Sequence, residues 1–196
     1  TRKTFDRYST LMSRIPGVTL QAQVPPPGTT DGASTLRVSA SRKPFTTSMS
    51  LVEGSRNSTQ ALFGATSNSQ TAMAEQLTLS GLFPPGRDKE HYYRLDYSQY
   101  LSAEGTQLSV YGSSYRSDPS TSIATDDGFE LKPHRENDRF SIGVSHPLIA
   151  APDQWLSAGA RLYGVNDNTD YEVVGYGQTI SEKTNVRALA FEGDWR

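Results

Sequence analysis

The chain has 196 residues, about one ordinary domain by length, and its 19 lysines and arginines nearly balance 21 aspartates and glutamates, for a net charge of −2. That balance lacks the basic surplus of a nucleic-acid-binding protein, and the absence of cysteine excludes disulfide frameworks, cysteine-ligated zinc and thiol nucleophiles. Mean hydropathy is −0.57 and no run approaches the ~18 apolar residues of a transmembrane helix, which still admits a transmembrane β-barrel, whose polar interior and loops lower the average.

The opening residues, Thr1-Arg2-Lys3-Thr4-Phe5, fit neither a signal peptide nor an initiator methionine, and read as the start of a piece of a longer protein. Phe5, Tyr8, Leu11, Met12 and Ile15 recur at helical spacing, and Pro16-Gly17 ends that stripe. From Val18 the period becomes two: Val18, Leu20, Ala22 and Val24 alternate with Thr19, Gln21 and Gln23. Pro25-Pro26-Pro27-Gly28 marks a long turn, and Leu36, Val38 and Ala40 begin a second alternation. One helix and one hairpin bury too little apolar surface to stand alone. Residues 1–42 are therefore expected to be the αββ end of a domain, with Leu20 and Leu36 buried against the helix.

After Pro44 no helical stripe recurs, and about eight segments have strand character, each near the ~9–11 residues of a membrane-crossing strand. They are Phe45 to Val52, a weak one near Gln60 to Ser67, one carrying Met73, Leu77, Leu79 and Phe83, then His91 to Leu101. Alternations around Leu108 and Val110, Phe140 to Ser145, Leu156 to Tyr163, and Thr184 to Trp195 complete the set. The face opposite the apolar one holds mostly Ser, Thr, Gly and Gln with single charges, as a crowded wet lumen would. Arg94, Asp96, Ser157 and Arg161 are the candidate pore-lining residues, while Leu156, Ala158, Ala160 and Leu162 are expected to face lipid.

Connections alternate in length. Leu101 to Gly105 and His146 to Gln154 read as short; Phe83 to Glu90, Arg116 to Asp138 and Val165 to Lys183 read as long polar loops, the asymmetry of outer-membrane barrels. The αββ unit falls at the short-turn end, the periplasmic one. Tyr92, Tyr93, Tyr97, Tyr100, Trp155, Tyr163 and Trp195 lie near strand ends, as an interfacial girdle requires.

Three stretches resemble two-partner-secretion transporters, the haemolysin-secretion/activation type of outer-membrane protein. Leu11 to Ala40 (LMSRIPGVTLQAQVPPPGTTDGASTLRVSA) resembles the end of that family's last POTRA domain, Leu95 to Tyr111 (LDYSQYLSAEGTQLSVY) its tyrosine-turn-glycine strand pair, and Phe140 to Ile149 (FSIGVSHPLI) its strand ending in a Pro-Leu-Ile turn. The resemblance implies a mainly β protein: the αββ end of a periplasmic POTRA domain over 1–42, then about the first half of an antiparallel transmembrane β-barrel over 43–196. It implies a pore in the bacterial outer membrane that exports an unfolded secreted partner. The family's Arg-Gly-aromatic pore-loop motif belongs to its later half and has no match here.

Catalytic signatures are missing. His91, His134 and His146 have no ligand-spaced partners, and Asn166 to Asp170 lacks the glycine and terminal glutamate of a calcium loop. Pro147 stands where a nucleophile elbow needs its second glycine, and Asn57-Ser58-Thr59 matches a glycosylation acceptor only as a three-residue pattern. No enzyme activity and no cofactor is implied. The expected partners are membrane lipid and an extended secreted protein, captured by strand addition on the Val18 to Val24 edge with Thr19, Gln21 and Gln23 outward. Two other readings stay open at this point, a complete small eight-stranded outer-membrane barrel with a structural or adhesive role and a soluble β-sandwich binding module.

Overall fold

The computed structural model describes residues 2–23, 37–53, 59–85 and 88–196. Helix α1 spans Arg2–Ser13, and the chain turns at Gly17, whose φ of +70° lies in the left-handed region that L side chains avoid. A Cβ there would also sit 2.5 Å from the Lys43 carbonyl and 2.6 Å from the Asn68 Cβ. Strands β1 (Val18–Gln23) and β2 (Arg37–Arg42) form a two-stranded antiparallel sheet, with Leu20 opposite Ala40. Val24, the Pro25 to Gly28 turn, Leu36, and Asn57-Ser58 of the glycosylation pattern lie outside the described residues.

From Phe45 onward the chain is one antiparallel meander. Its strands are β3 (Phe45–Val52), β4 (Gln60–Asn68), β5 (Gln76–Phe83), β6 (His91–Tyr100), β7 (Gln107–Ser117), β9 (Glu130–Ala150), β10 (Trp155–Val173) and β11 (Gln178–Trp195), paired in that order. The short β8 (Ile123–Ala124) pairs only with β9. Among the described residues no helix follows α1, and no register joins β3 to β11. The first-to-eighth pairing that a complete small barrel requires is thus not formed.

Two expected long loops are in part strand. Arg116, Ser117 and Glu130 to Asp138 belong to the ladders of β7 and β9, most of Val165 to Lys183 belongs to β10 and β11, and β10 turns into β11 across residues 174–177. β9 has 21 residues and β10 has 19, about twice what crosses a bilayer at a tilt. Their outer halves carry polar residues on both faces, so backbone pairing continues where the period-two apolar signal stops. Met73, expected in a strand, lies in the turn before β5.

The registers sort the side chains into two faces, because residues directly opposite on neighbouring strands share a face. One face carries Met49, Phe63, Leu79, Leu95, Val110, Ile142, Leu162 and Leu189. It is exposed: Phe45 is 69% accessible, Met49 61% and Phe191 80%. The other carries Ser48, Gly64, Ser80, Arg94, Ser113, Ser141, Gly143 and Arg161, and it is the more enclosed, with Ser141 8% accessible. Among the described residues only Leu11, Ala150 and Val173 are buried apolar side chains. A water-soluble sandwich would show the opposite arrangement.

The helix does not rest on the hairpin alone. Leu20 is half-buried rather than buried, and β2 is exposed along its length. The buried side chain of α1, Leu11, reaches the turns of the large sheet, packing at Gly105 beside Pro147. A Cβ on Gly105 would lie 2.7 Å from a Leu11 methyl and 2.8 Å from the Pro147 ring, at a φ of +88°. Gly105→Ala should destabilise the intact protein by at least ~1 kcal/mol, the least cost of an L residue at positive φ. Urea unfolding in neutral detergent checks this; an unchanged midpoint would contradict both the left-handed backbone at Gly105 and the close approach of Leu11 and Pro147 to it.

Candidate functional site

The polar face and its mouth at the short-turn end form the candidate site. Each of the expected pore-lining residues stands on that face. Arg94 lies opposite Ser113 and Asp96 opposite Tyr111; Arg161 lies between Gly143 and Ala190, and Ser157 between Pro147 and Asp194. Leu156, Ala158, Ala160 and Leu162 stand on the opposite, apolar face. The alternation of β10 therefore holds residue by residue.

Charged groups on this face are engaged along a strand or across to its neighbour. Arg94 donates from Nε and Nη2 to both carboxylate oxygens of Asp96, at 2.6 and 2.8 Å, and its guanidinium lies 4.9 Å from the centre of the Tyr111 ring. Arg161 Nη2 donates to Glu192 Oε2 at 3.0 Å, and Arg139 Nε to Asn137 Oδ1 at 2.8 Å. Tyr111 and Ser113 share a hydrogen bond of 2.8 Å, as do Thr66 and Thr78 at 2.9 Å. The Arg94–Asp96 pair is fork-like, the stronger and more directional kind of charge-assisted contact.

The aromatic girdle is only partly where spacing alone put it. Tyr93, Tyr97 and Trp195 are on the apolar face, but Tyr92, Tyr100, Trp155 and Tyr163 are on the polar one. Nearness to a strand end does not fix which way a side chain points; the register does. The Trp155 ring is engaged by Arg14 of the turn after α1, whose guanidinium carbon sits 3.6 Å from the ring centre.

That stacking belongs to a latch between the N-terminal unit and the sheet. The Tyr100 hydroxyl donates to the Arg14 carbonyl at 3.3 Å, and Ser69 Oγ donates to the Pro16 carbonyl at 2.7 Å. These satisfy carbonyls left without partners past the end of the helix. At the other side of α1, Arg7 Nε donates to Glu104 Oε2 at 3.1 Å, and the Tyr8 hydroxyl donates to Glu104 Oε1. The hydrogen bonds from Tyr8 and Arg7 hold the Glu104 carboxyl below the usual carboxylate range. Arg14, Pro16, Gln76, Ser98, Tyr100 and Trp155 border the cleft where the polar face opens toward α1. Sequence spacing missed this latch because its partners are distant in the chain, 53 residues apart for Ser69 and Pro16 and further for the others.

Thr19, Gln21 and Gln23 are exposed on β1, opposite Ser41, Ser39 and Arg37. One edge of β1 is taken by β2; among the described residues its other edge has no strand partner. His134, without a partner by spacing, has Asp118 at 3.1 Å and Glu172 at 3.6 Å. Asn166 to Asp170 is not a loop but part of β10, paired on both sides.

No family model matches the chain, and no curated protein matches it. Among solved structures it is similar to BamA from Haemophilus ducreyi in a form lacking POTRA domains 1-3, at 14% identity and a TM-score of 0.53, covering 94% of this chain. The chain spans 36% of the length of that structure. The likeness is one of fold: a mainly β antiparallel chain that matches the barrel of BamA, with a small helix at its N-terminal end.

Glu104 sets a direction for pH. Because its carboxyl titrates lower when docked than when free, its contribution to the latch is complete above the ordinary carboxylate range and is lost as the pH falls through and below it. In a Trp195→Phe background, Trp155 emission should be steady at neutral pH and change below about pH 4. Glu104→Gln should remove that acid transition; a transition that persists in the variant would assign it to another group.

Proposed function

We propose that this chain is part of an outer-membrane β-barrel of the Omp85 type, and that the barrel exports an extended protein partner. One observation supports the membrane reading above others, the exposed apolar face backed by an enclosed polar one, and the likeness to the barrel of BamA supports it independently. β10 crosses the apolar band between Leu156 and Gly164, close to the ~9–11 residues that a tilted strand needs. With no water in hydrocarbon to solvate free N–H and C=O groups, pairing of the membrane-spanning strands on both sides is what makes such a crossing possible. The soluble-sandwich reading is left with an unexplained apolar exterior.

Export of a secreted partner in the manner of two-partner secretion rests on the three sequence stretches named above and on the open edge of β1. On this reading residues 1–42 are the end of a periplasmic POTRA domain, and Thr19, Gln21 and Gln23 flank backbone that pairs with an incoming extended segment. The paired charges of Arg94–Asp96 and Arg161–Glu192 then line the path, with Ser157 near its periplasmic mouth. No step in this function makes or breaks a bond, and the reading includes no enzyme activity and no nucleic acid.

The two levels separate experimentally. Ala160 lies on the apolar face between Val144 and Phe191, and Ser145 lies on the polar face opposite Gly159. Ala160→Arg should cost roughly 2–4 kcal/mol, the price of an arginine at mid-membrane depth, and reduce the folded fraction in vesicles; Ser145→Arg should fold normally. Equal tolerance of both would defeat the membrane reading. For export, a photo-cross-linker at Gln21 in the intact protein should capture the secreted partner during transport. Cross-links only to Arg37–Arg42 of the same chain would defeat the strand-addition role and leave the barrel intact.

A further inference from the structure

We propose that the outward rim of the apolar face carries a binding site for a phosphate-bearing membrane lipid, built on Arg187. The inference rests on the reading of that face as lipid-facing. Phe140, Gly164 and Arg187 stand side by side on β9, β10 and β11, at the level where the apolar band ends. Toward the turn end the same face continues in Ile142, Leu162 and Leu189; away from it come Asp138, Asn166 and Asn185. Arg187 therefore sits on the boundary between hydrocarbon-compatible and polar side chains, where a lipid phosphate lies.

Its geometry is that of an exposed guanidinium held in place by neutral groups. Nη1 donates to the Val165 and Val186 carbonyls at 3.2 and 2.7 Å, and Nη2 donates to Asn166 Oδ1 at 2.7 Å. Among the described residues no carboxylate comes within ion-pair distance of it, although Asp138 borders the same groove. Arg116, the other arginine on this face, is paired with Glu136 at 3.5 Å. Gly164 makes the placement possible: a Cβ there would come within 3.2 to 3.3 Å of Arg187 Cδ, Nε and Nη1. The bare backbone lets the guanidinium lie across β10 and leaves a groove walled by Phe140, Leu162 and Leu189 below it. Lys183, four residues further out on the same face of β11 and about 13 Å away along the strand, adds a second cation with no ion pair among the described residues. A charge-assisted fork above an apolar groove matches a phosphate head joined to an acyl chain.

The test uses the intact protein folded into phosphatidylcholine vesicles, with bisphosphorylated lipid A, its dephosphorylated form, or inorganic phosphate added. Retention of lipid A by the re-extracted protein is read by native mass spectrometry. Wild type should prefer lipid A over the dephosphorylated form by about tenfold, the effect of a single charge-assisted contact, and should retain no inorganic phosphate. Arg187→Gln should abolish the preference, Arg187→Lys should keep most of it, and Gly164→Leu, which fills the groove, should lower retention of both lipid forms. Arg135→Gln on the polar face should leave the lipid A preference unchanged. A protein that inserts in phosphatidylcholine but shows no preference, or a preference that survives Arg187→Gln, overturns this inference alone. A protein that inserts in no vesicle overturns the membrane reading with it.

Discussion

Everything in this chain follows from one inversion: the side of the sheet that faces outward is apolar, and the enclosed side is polar. In water such an arrangement would expose Phe45, Met49, Phe191 and Trp195 at a cost of roughly 1.5–3 kcal/mol for each side chain left unburied. The described part of the molecule has almost no core of its own, since Leu11, Ala150 and Val173 are its only buried apolar side chains. Its internal order comes from backbone ladders, which run unbroken from β3 to β11. A low-dielectric surrounding both removes the exposed apolar surface from water and strengthens those ladders, because no solvent competes for their donors and acceptors.

The period-two alternation was legible wherever one face had to be apolar. β3 was readable from Phe45 to Val52 to the residue, and Leu156 to Leu162 took the faces their alternation required. Where β9, β10 and β11 leave the apolar band, both faces are polar, and segments such as Asn166 to Asp170 look like loop although the ladder continues through them. Alternation carries information about a two-phase environment rather than about strands as such. The aromatic residues show the complementary limit: Trp155 and Trp195 both sit at strand ends, yet register turns one inward and the other outward.

Contacts distant in the chain were not legible at all. Arg14 and Trp155, or Tyr8 and Glu104, have nothing in their local sequence that pairs them. They meet because the meander brings the turns at 69–75, 101–106 and 151–154 to one end of the sheet, where α1 lies. The charged and aromatic groups there tie the N-terminal unit to the sheet through carbonyls that the helix itself leaves open. Contacts of this kind fix where α1, and the β1 strand that follows it, stand relative to the opening of the polar face.

On the proposed membrane reading, the overhang of β9, β10 and β11 bears on how the sheet would meet bilayers of different thickness. Because the hydrogen-bond ladder passes through the end of the apolar band without interruption, nothing in the backbone marks the depth at which the sheet must sit. Depth is set by side chains alone, by the step from Phe140 and Leu189 to Arg187 and Asn166. On that reading a thicker or thinner membrane would meet a sheet able to shift along the membrane normal, at a fraction of a kcal/mol per Å of mismatch, with every strand pairing kept.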